Sequence, residues 1–209
     1  FTDCPIDSNS QLIITPGTQG ALFLALGATV ASGTKVGVVE PDYFANRKLV
    51  KFFGGEVVPI SLNYKNPELK NSPDINQIEK AFQTGTKVLV FSTPNNPTGL
   101  VYSRATVNKI GVLAQAYDVT VIVDQLYSRM LYGEEQYTHL RACEVKPKNL
   151  ITIMGPSKTE SLSGFRLGVA FGTSTLIERM ESLQAIVSLR ASGYNLSLIH
   201  ISEPTRRRG

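Results

Sequence analysis

The chain has 209 residues, of which 42% are hydrophobic and 18% charged, and this composition indicates a globular protein with one sizeable core. Residues 196–209 contribute half of the formal net charge of +4, and no basic stripe interleaved with aromatic residues occurs, so nucleic-acid binding is not expected. The two cysteines and two histidines have no metal-binding spacing, and the most apolar run, residues 21–33, is too short to span a bilayer. We therefore expect a cytoplasmic protein with no metal site and no membrane partner.

Short β-branched runs alternate with helical patterns along the chain. Strands are predicted at residues 12–15, 35–40, 56–62, 87–92, 120–125, 150–155 and 167–172, and helices at about 17–31, 42–53, 74–83, 103–117 and 173–190. This alternation predicts an α/β fold: a mostly parallel sheet of about seven strands with helices on both faces, in three layers. Because no helical pattern separates the last two strands, one strand is expected to run antiparallel.

Polar segments follow several of the predicted strands, and such sheets bind their ligands beyond the carboxyl ends of the strands. After the first strand, TPGTQG places Gly17, Thr18 and Gln19 at a helix N-terminus. Free backbone N–H groups and the helix dipole favour an anion there, such as a phosphate. A simple helix cap is the competing interpretation, because the segment matches neither the Walker A nor the G-x-G-x-x-G pattern.

Two further strand ends carry chemically useful groups. Asp124 ends a run typical of a buried strand, where a carboxylate requires a cation or a strong donor. A protonated pyridine nitrogen would be such a partner, as would an arginine or the start of a helix. The turn STPNNPTG contains Asn96, whose amide could hydrogen-bond a ring hydroxyl, since turn chemistry explains the prolines and the glycine but not two consecutive asparagines.

Lys158 follows the sixth strand in the segment GPSKTESLSGFRLG. Its amine can form a Schiff base with a carbonyl compound, although a solvated loop is the commoner environment of a lysine. Pyridoxal 5'-phosphate requires a lysine for its aldehyde, an acid for its pyridine nitrogen, a donor for its ring oxygen, an anion site and an aromatic side chain. Lys158, Asp124, Asn96, the 17–19 turn and Tyr43 supply one each.

The segments TPGTQGAL, PDY, NNPTG, VDQLY and SKTESLSGFRLG resemble, in order, those of the class I/II aminotransferases, which are fold-type-I pyridoxal-phosphate enzymes. The resemblance covers about residues 12–190 and implies the fold of their large, cofactor-binding domain. It implies that Lys158 holds the cofactor as an internal aldimine and moves the proton between Cα and C4′, while Asp124 keeps the pyridine nitrogen protonated.

The resemblance also implies roles for the residues around the ring and the phosphate. Tyr127 and Asn96 would bond the ring oxygen, and Tyr43 would stack on the ring. The phosphate would be bound by Gly17, Thr18, Gln19, Ser157 and Arg166. One position departs from the family pattern, because Gly155 stands where many members have a serine that contacts the phosphate.

The resemblance further predicts the organisation of the chain. Residues 1–195 would be the incomplete large domain, without the N-terminal arm and without the small domain whose arginine binds the substrate carboxylate. The full-length enzyme would be a homodimer that transfers an amino group between an amino acid and a 2-oxo acid. Residues 196–209 lack a helical or strand period, and LSLIHISEPTR resembles a translated sequencing adapter, so we expect a non-native tail.

Three alternative functions stay open at the level of sequence. GPSKTESLSGFRLG is also similar to the arginine-oxidising pyridoxal-phosphate enzymes, oxidases and hydroxylases that keep the same cofactor residues and pass electrons to oxygen. An aminotransferase-like effector domain of a transcription regulator would require an upstream helix-turn-helix. A dinucleotide-binding dehydrogenase would share the sheet, but the chain lacks its glycine fingerprint and would leave Lys158 without a role.

Overall fold

The computed structural model describes residues 4–63, 72–133 and 136–202, with side chains through residue 197. Its strands are β1 (Leu12–Pro16), β2 (Lys35–Glu40), β3 (Glu56–Ser61), β4 (Val88–Ser92), β5 (Thr120–Asp124), β6 (Leu150–Met154) and β7 (Leu167–Gly172). Its helices are α1 (Gly17–Thr29), α2 (Phe44–Phe52), α3 (Ile75–Gln83), α4 (Arg104–Ala116), α5 (Ser174–Val187) and α6 (Gly193–Ser202).

The strands form one sheet in the order β1-β7-β6-β5-β4-β2-β3. Strands β2 to β6 pair in parallel, whereas β7 runs antiparallel to both of its neighbours, with Ala170 opposite Ile153 on β6 and opposite Ile13 on β1. The mostly parallel sheet with one antiparallel strand is therefore confirmed. Strand β7 turns back because only a loop, and no crossover helix, connects it to β6.

Two apolar cores lie on the two faces of the sheet, which confirms the three-layer arrangement. Helices α1, α2 and α5 cover the face that carries Val90 and Ile122, and helices α3 and α4 cover the face that carries Phe91 and Val123. All five residues of β4 are buried. The central strands bury both faces, and this explains their continuous β-branched runs without polar alternation.

Local signals explain where several elements begin and end. The carboxylate of Asp74 accepts the N–H groups of Asn76 and Gln77 at 3.0 and 3.1 Å and caps the start of α3. A short 3₁₀ turn, Ser163–Phe165, precedes β7 and is followed by Arg166 in the left-handed region, with φ of 52°. This turn directs the side chain of Arg166 towards the start of α1.

Helix α6 differs from the sequence-based expectation. The pattern predicted neither helix nor strand after residue 195, whereas the structure places Gly193–Ser202 in a helix. The preceding helix, predicted to continue to residue 190, ends at Val187. The division between residues 1–195 and a non-native tail stays a prediction.

Candidate active site

The residues predicted to bind the cofactor come together at the carboxyl ends of the strands. A cavity of about 190 Å³ lies there, bounded by the loops that follow β1, β2, β4, β5 and β6. It is lined by Thr18, Gln19, Leu22, Tyr43, Asn96, Asp124, Leu126, Tyr127, Ser157, Lys158, Ser163 and Arg166. Gly17 is the one predicted site residue outside this lining, and it packs directly behind Arg166.

The start of α1 has the properties of an anion site. No side chain caps this helix and its first turn contains no acidic residue, so its first N–H groups have no acceptor within the helix. Gly17 has φ of 75°, and a Cβ there would lie 2.9 Å from Cζ of Arg166, so the guanidinium approaches the helix start only beside glycine. Arg166 Nη1 donates to the carbonyl of Ser163 at 2.8 Å, which holds the cation in place. The free N–H groups of α1 and the Arg166 guanidinium thus lie together at the start of this helix.

The packing around Gly155 explains the departure from the family pattern. A Cβ at this position would lie 2.8 Å from Cγ2 of Thr18 and 3.0 Å from the carbonyl oxygen of Leu167. The methyl group of Thr18 therefore occupies the space that a serine at position 155 would need. Thr18 and Ser157 line the cavity in its place.

Asp124 presents an unsatisfied carboxylate to the cavity. Its Oδ1 accepts the N–H of Leu126 at 2.9 Å, and the described residues place no donor within hydrogen-bond distance of Oδ2. They also place no arginine or lysine in ion-pair contact with it, so the arginine-partner interpretation finds no support there. Burial raises the pKa of Asp124 to about 6. A cationic N–H donor in the cavity, such as a protonated pyridine nitrogen, fits this carboxylate.

Tyr43, Gln19 and Tyr127 form one wall of the cavity. The Tyr43 hydroxyl donates to Oε1 of Gln19 at 3.1 Å, which joins the α2 start to the α1 start. Burial raises the pKa of Tyr43 and of Tyr127, and the nearby Asp124 charge raises both further. The two phenols therefore line the cavity near the same carboxylate.

Lys158 lies on the loop after β6 and is exposed to the cavity. In the described part of the chain, no carboxylate lies within ion-pair distance of its amine. The nearby Glu160 pairs with Arg129, whose Nη2 also donates to Thr159 Oγ1 at 2.9 Å. These contacts bind the loop to the segment after β5, and they leave the Lys158 amine free to react.

The sequence profile described as Aminotransferase class I and II matches residues 2–205. The chain belongs to this family. An aspartate aminotransferase from Rhodobacter sphaeroides 2.4.1 superposes with a TM-score of 0.92 at 58% identity, covering 95% of this chain and 52% of that one.

Two curated aminotransferases are also similar to this chain. The aspartate/prephenate aminotransferase of Thermus thermophilus is 32% identical over 175 residues, which are 84% of this chain and 44% of that protein. Kynurenine–oxoglutarate transaminase 3 of Homo sapiens is 30% identical over 185 residues, which are 86% of this chain and 41% of that protein. The chain thus spans about half the length of the relatives it matches. Pyridoxal phosphate is the cofactor of class I and II aminotransferases.

The sequence analysis missed one carboxylate next to this aminotransferase-family site. Asp42, in the loop after β2, accepts the backbone N–H of Ser92 at 2.8 Å and that of Tyr43 at 2.6 Å. Burial raises its pKa to about 7, and the neighbouring Asp124 charge adds to that rise, against these hydrogen bonds. A carboxylate at the end of a strand is the signal that indicates Asp124, and Asp42 in the segment PDY lies two residues after the end of β2.

Elsewhere among the residues that the structure describes, no second group of catalytic side chains is found. A larger cavity of about 670 Å³, bordered by Arg104, Tyr137 and His139, contains none of the predicted site residues. No group of three or more metal-ligating side chains occurs among the residues that the structure describes. Within the same ranges, each helix is too short or too polar to cross a bilayer.

Proposed function

We propose that the chain is the cofactor-binding part of a pyridoxal-phosphate-dependent aminotransferase, which exchanges an amino group between an amino acid and a 2-oxo acid. One observation carries this proposal. A single cavity at the carboxyl ends of the strands is lined by the Lys158 amine, the unsatisfied Asp124 carboxylate and the anion site at the start of α1. Membership of the aminotransferase family supports the same activity.

Each part of the cofactor has a matching group in the cavity. The N–H groups at the start of α1, the hydroxyls of Thr18 and Ser157 and the Arg166 guanidinium would hold the phosphate. Tyr43 would lie against the ring, and Asn96 and Tyr127 would donate to its oxygen. When bound, pyridoxal phosphate supplies an aldehyde for the amino group and a ring that accepts electrons from the substrate Cα.

The protein's own groups perform the proton chemistry. Oδ2 of Asp124 would hold the proton on the ring nitrogen, because a carboxylate oxygen with no other donor stabilises the cation beside it. Nζ of Lys158 would take the proton from the substrate Cα and deliver it to C4′ of the cofactor. No carboxylate among the described residues pairs with the Lys158 amine and competes with the cofactor for it.

The names of the relatives suggest the first substrate to test. Aspartate occurs in the names of the Rhodobacter and Thermus enzymes, so we propose aspartate as amino donor and a 2-oxo acid as acceptor. We also propose a role in amino-acid biosynthesis for the full-length protein.

We propose that the full-length protein is a cytoplasmic homodimer. Exposed apolar side chains such as Phe52, Ile186 and Leu189, 71%, 84% and 75% exposed, support a surface that further chain or a second copy covers. The thiol of Cys143 is unbridged, which suits a reducing compartment. Light scattering on the full-length protein tests the dimer, since a monomeric mass at micromolar concentration contradicts it.

The reaction type is tested with the full-length protein and aspartate, with and without a 2-oxo acid, under air and under nitrogen. Transamination predicts turnover that requires the oxo acid, is equal under both gases and consumes no oxygen. The Lys158→Ala variant should show no turnover, whereas Lys148→Ala, on an exposed lysine of the loop before β6, should keep it. Oxygen uptake with arginine in the absence of an oxo acid would instead identify an oxidase.

A further inference from the structure

Asp42 joins the ends of two strands through its carboxylate. Oδ1 accepts the N–H of Tyr43 at 2.6 Å and also the hydroxyl of Ser92, and Oδ2 accepts the N–H of Ser92 at 2.8 Å. Ser92 is the last residue of β4, so one side chain fixes the loop after β2 to the neighbouring strand. Both carboxylate oxygens thus accept hydrogen bonds. The donors belong to the adjacent residue, Tyr43, and to Ser92, fifty positions along the chain.

The hydroxyl of Ser92 extends this connection to the opposite wall of the site. Ser92 Oγ accepts the N–H of Asn96 at 3.1 Å and the side-chain amide of Asn95 at 3.4 Å. Because those two groups only donate, the hydroxyl proton of Ser92 is directed to Asp42. The result is a continuous hydrogen-bonded path from Tyr43 through Asp42 and Ser92 to Asn96.

The two ends of this path are the residues proposed above to contact the cofactor ring. At one end of the path, the backbone N–H of Tyr43 donates to Asp42. At the other end, the backbone N–H of Asn96 donates to Ser92. The side chains of both residues line the cavity, while Asp42 and Ser92 do not. Burial and the Asp124 charge both oppose ionisation of Asp42, so this carboxylate occupies an electrostatically unfavourable position that its donors must offset.

We propose that Asp42 is a positioning residue that fixes Tyr43 and Asn96 relative to each other. It thereby sets the geometry of the site that binds the cofactor ring. This inference rests on the proposed function. It requires no contact between Asp42 and the cofactor. It predicts that loss of the carboxylate disturbs the bound ring more than it disturbs the fold.

The test compares two aspartates in the full-length protein, each of which accepts two backbone N–H groups. Asp42→Ala removes the acceptor beside the site, and Asp74→Ala removes the α3 cap, whose bonds of 3.0 and 3.1 Å lie outside the cavity lining. The readouts are the dissociation constant of pyridoxal phosphate, the visible circular dichroism of the bound cofactor and the urea midpoint. Wild-type binding is measured first, and its absence would reject the proposed function rather than this inference.

Asp42→Ala should weaken pyridoxal phosphate binding by about tenfold or more and reduce the visible dichroism at saturation, as expected for loss of hydrogen bonds to a charged group. Asp74→Ala should lower the urea midpoint while its dissociation constant and dichroism stay at the wild-type values. Ser92→Ala should shift binding in the same direction as Asp42→Ala, and the double variant should fall short of the summed effects because both belong to one path.

Wild-type affinity and dichroism in Asp42→Ala would overturn the proposal and leave Asp42 as a structural residue. If Asp42→Ala does not fold, Ser92→Ala decides in its place, since it removes only one hydroxyl of the path. Asp42→Asn, which keeps the shape and one acceptor oxygen, should recover part of the affinity. A dichroism change of equal size in Asp74→Ala would also contradict a specific role.

Discussion

Gly168 is the position at which one methyl group should disturb both the fold and the anion site. This buried residue of β7 packs against the start of α1, and an added Cβ would overlap the Gly17 carbonyl and lie 2.5 Å from the Thr18 nitrogen. The neighbours are backbone atoms, so no flexible side chain can move aside. Since ordinary contact begins at about 3.4 Å, the first turn of α1 must retreat by about 1 Å in Gly168→Ala.

The expected magnitude follows from how that overlap is relieved. Overpacking in a well-packed core costs about 1–3 kcal/mol of unfolding free energy. If the helix start moves instead, its N–H groups leave the phosphate position, and the same free energy corresponds to a roughly 5- to 150-fold weaker affinity for pyridoxal phosphate. Gly168→Ala should therefore weaken the unfolding free energy, the binding free energy of the cofactor, or both. The two losses together should amount to about 1–3 kcal/mol.

The assay is urea denaturation together with cofactor titration of the full-length variant. Gly164→Ala is the matched control, because a Cβ at that nearby glycine would meet nothing within 4 Å. It should leave both quantities unchanged. Wild-type stability combined with wild-type affinity in Gly168→Ala would refute the reasoning about the α1 start.

Three further predictions concern protons, the phosphate site and the tail. Because the pKa values of Asp42 and Asp124, about 7 and about 6, exceed the ordinary 3.8, the cofactor-free folded protein holds more protons than the unfolded chain between pH 4 and 7. Its unfolding free energy should therefore receive a contribution that falls as pH rises through this window, and Asp42→Asn should reduce that slope in urea titrations. Arg166→Gln should weaken pyridoxal phosphate binding by about tenfold or more, whereas Arg47→Gln, which breaks only a surface pair with Glu40, should not. Resequencing of the source locus should give a different frame after residue 195, and an uninterrupted genomic frame encoding residues 196–209 would reject the non-native tail.

The sequence predicts the sheet and most of the cavity because both depend on local patterns. β-branched runs mark the strands, and polar residues directly after them meet at one edge of a parallel sheet. Lys158, Asp124, Asn96 and Tyr43 could thus be placed together without coordinates. Their chemical roles stay predictions until the cofactor is observed on them.

Features that depend on long-range packing could not be predicted in the same way. The bonds between Asp42 and Ser92 join residues fifty positions apart, and nothing near either residue specifies the other. The sequence around Gly155 does not show that the methyl group of Thr18 fills the space that a serine would need there. Helix α6 has no amphipathic period in its sequence, and the helical pattern search therefore found no signal for it.

Chemical trapping of the cofactor tests whether Lys158 is the residue that binds pyridoxal phosphate covalently. The full-length protein is saturated with pyridoxal phosphate, reduced with borohydride, digested and analysed by mass spectrometry. We expect a single cofactor-modified peptide containing Lys158, and no such peptide from Lys158→Ala. Modification of a different lysine, or no modification after saturation, would contradict it.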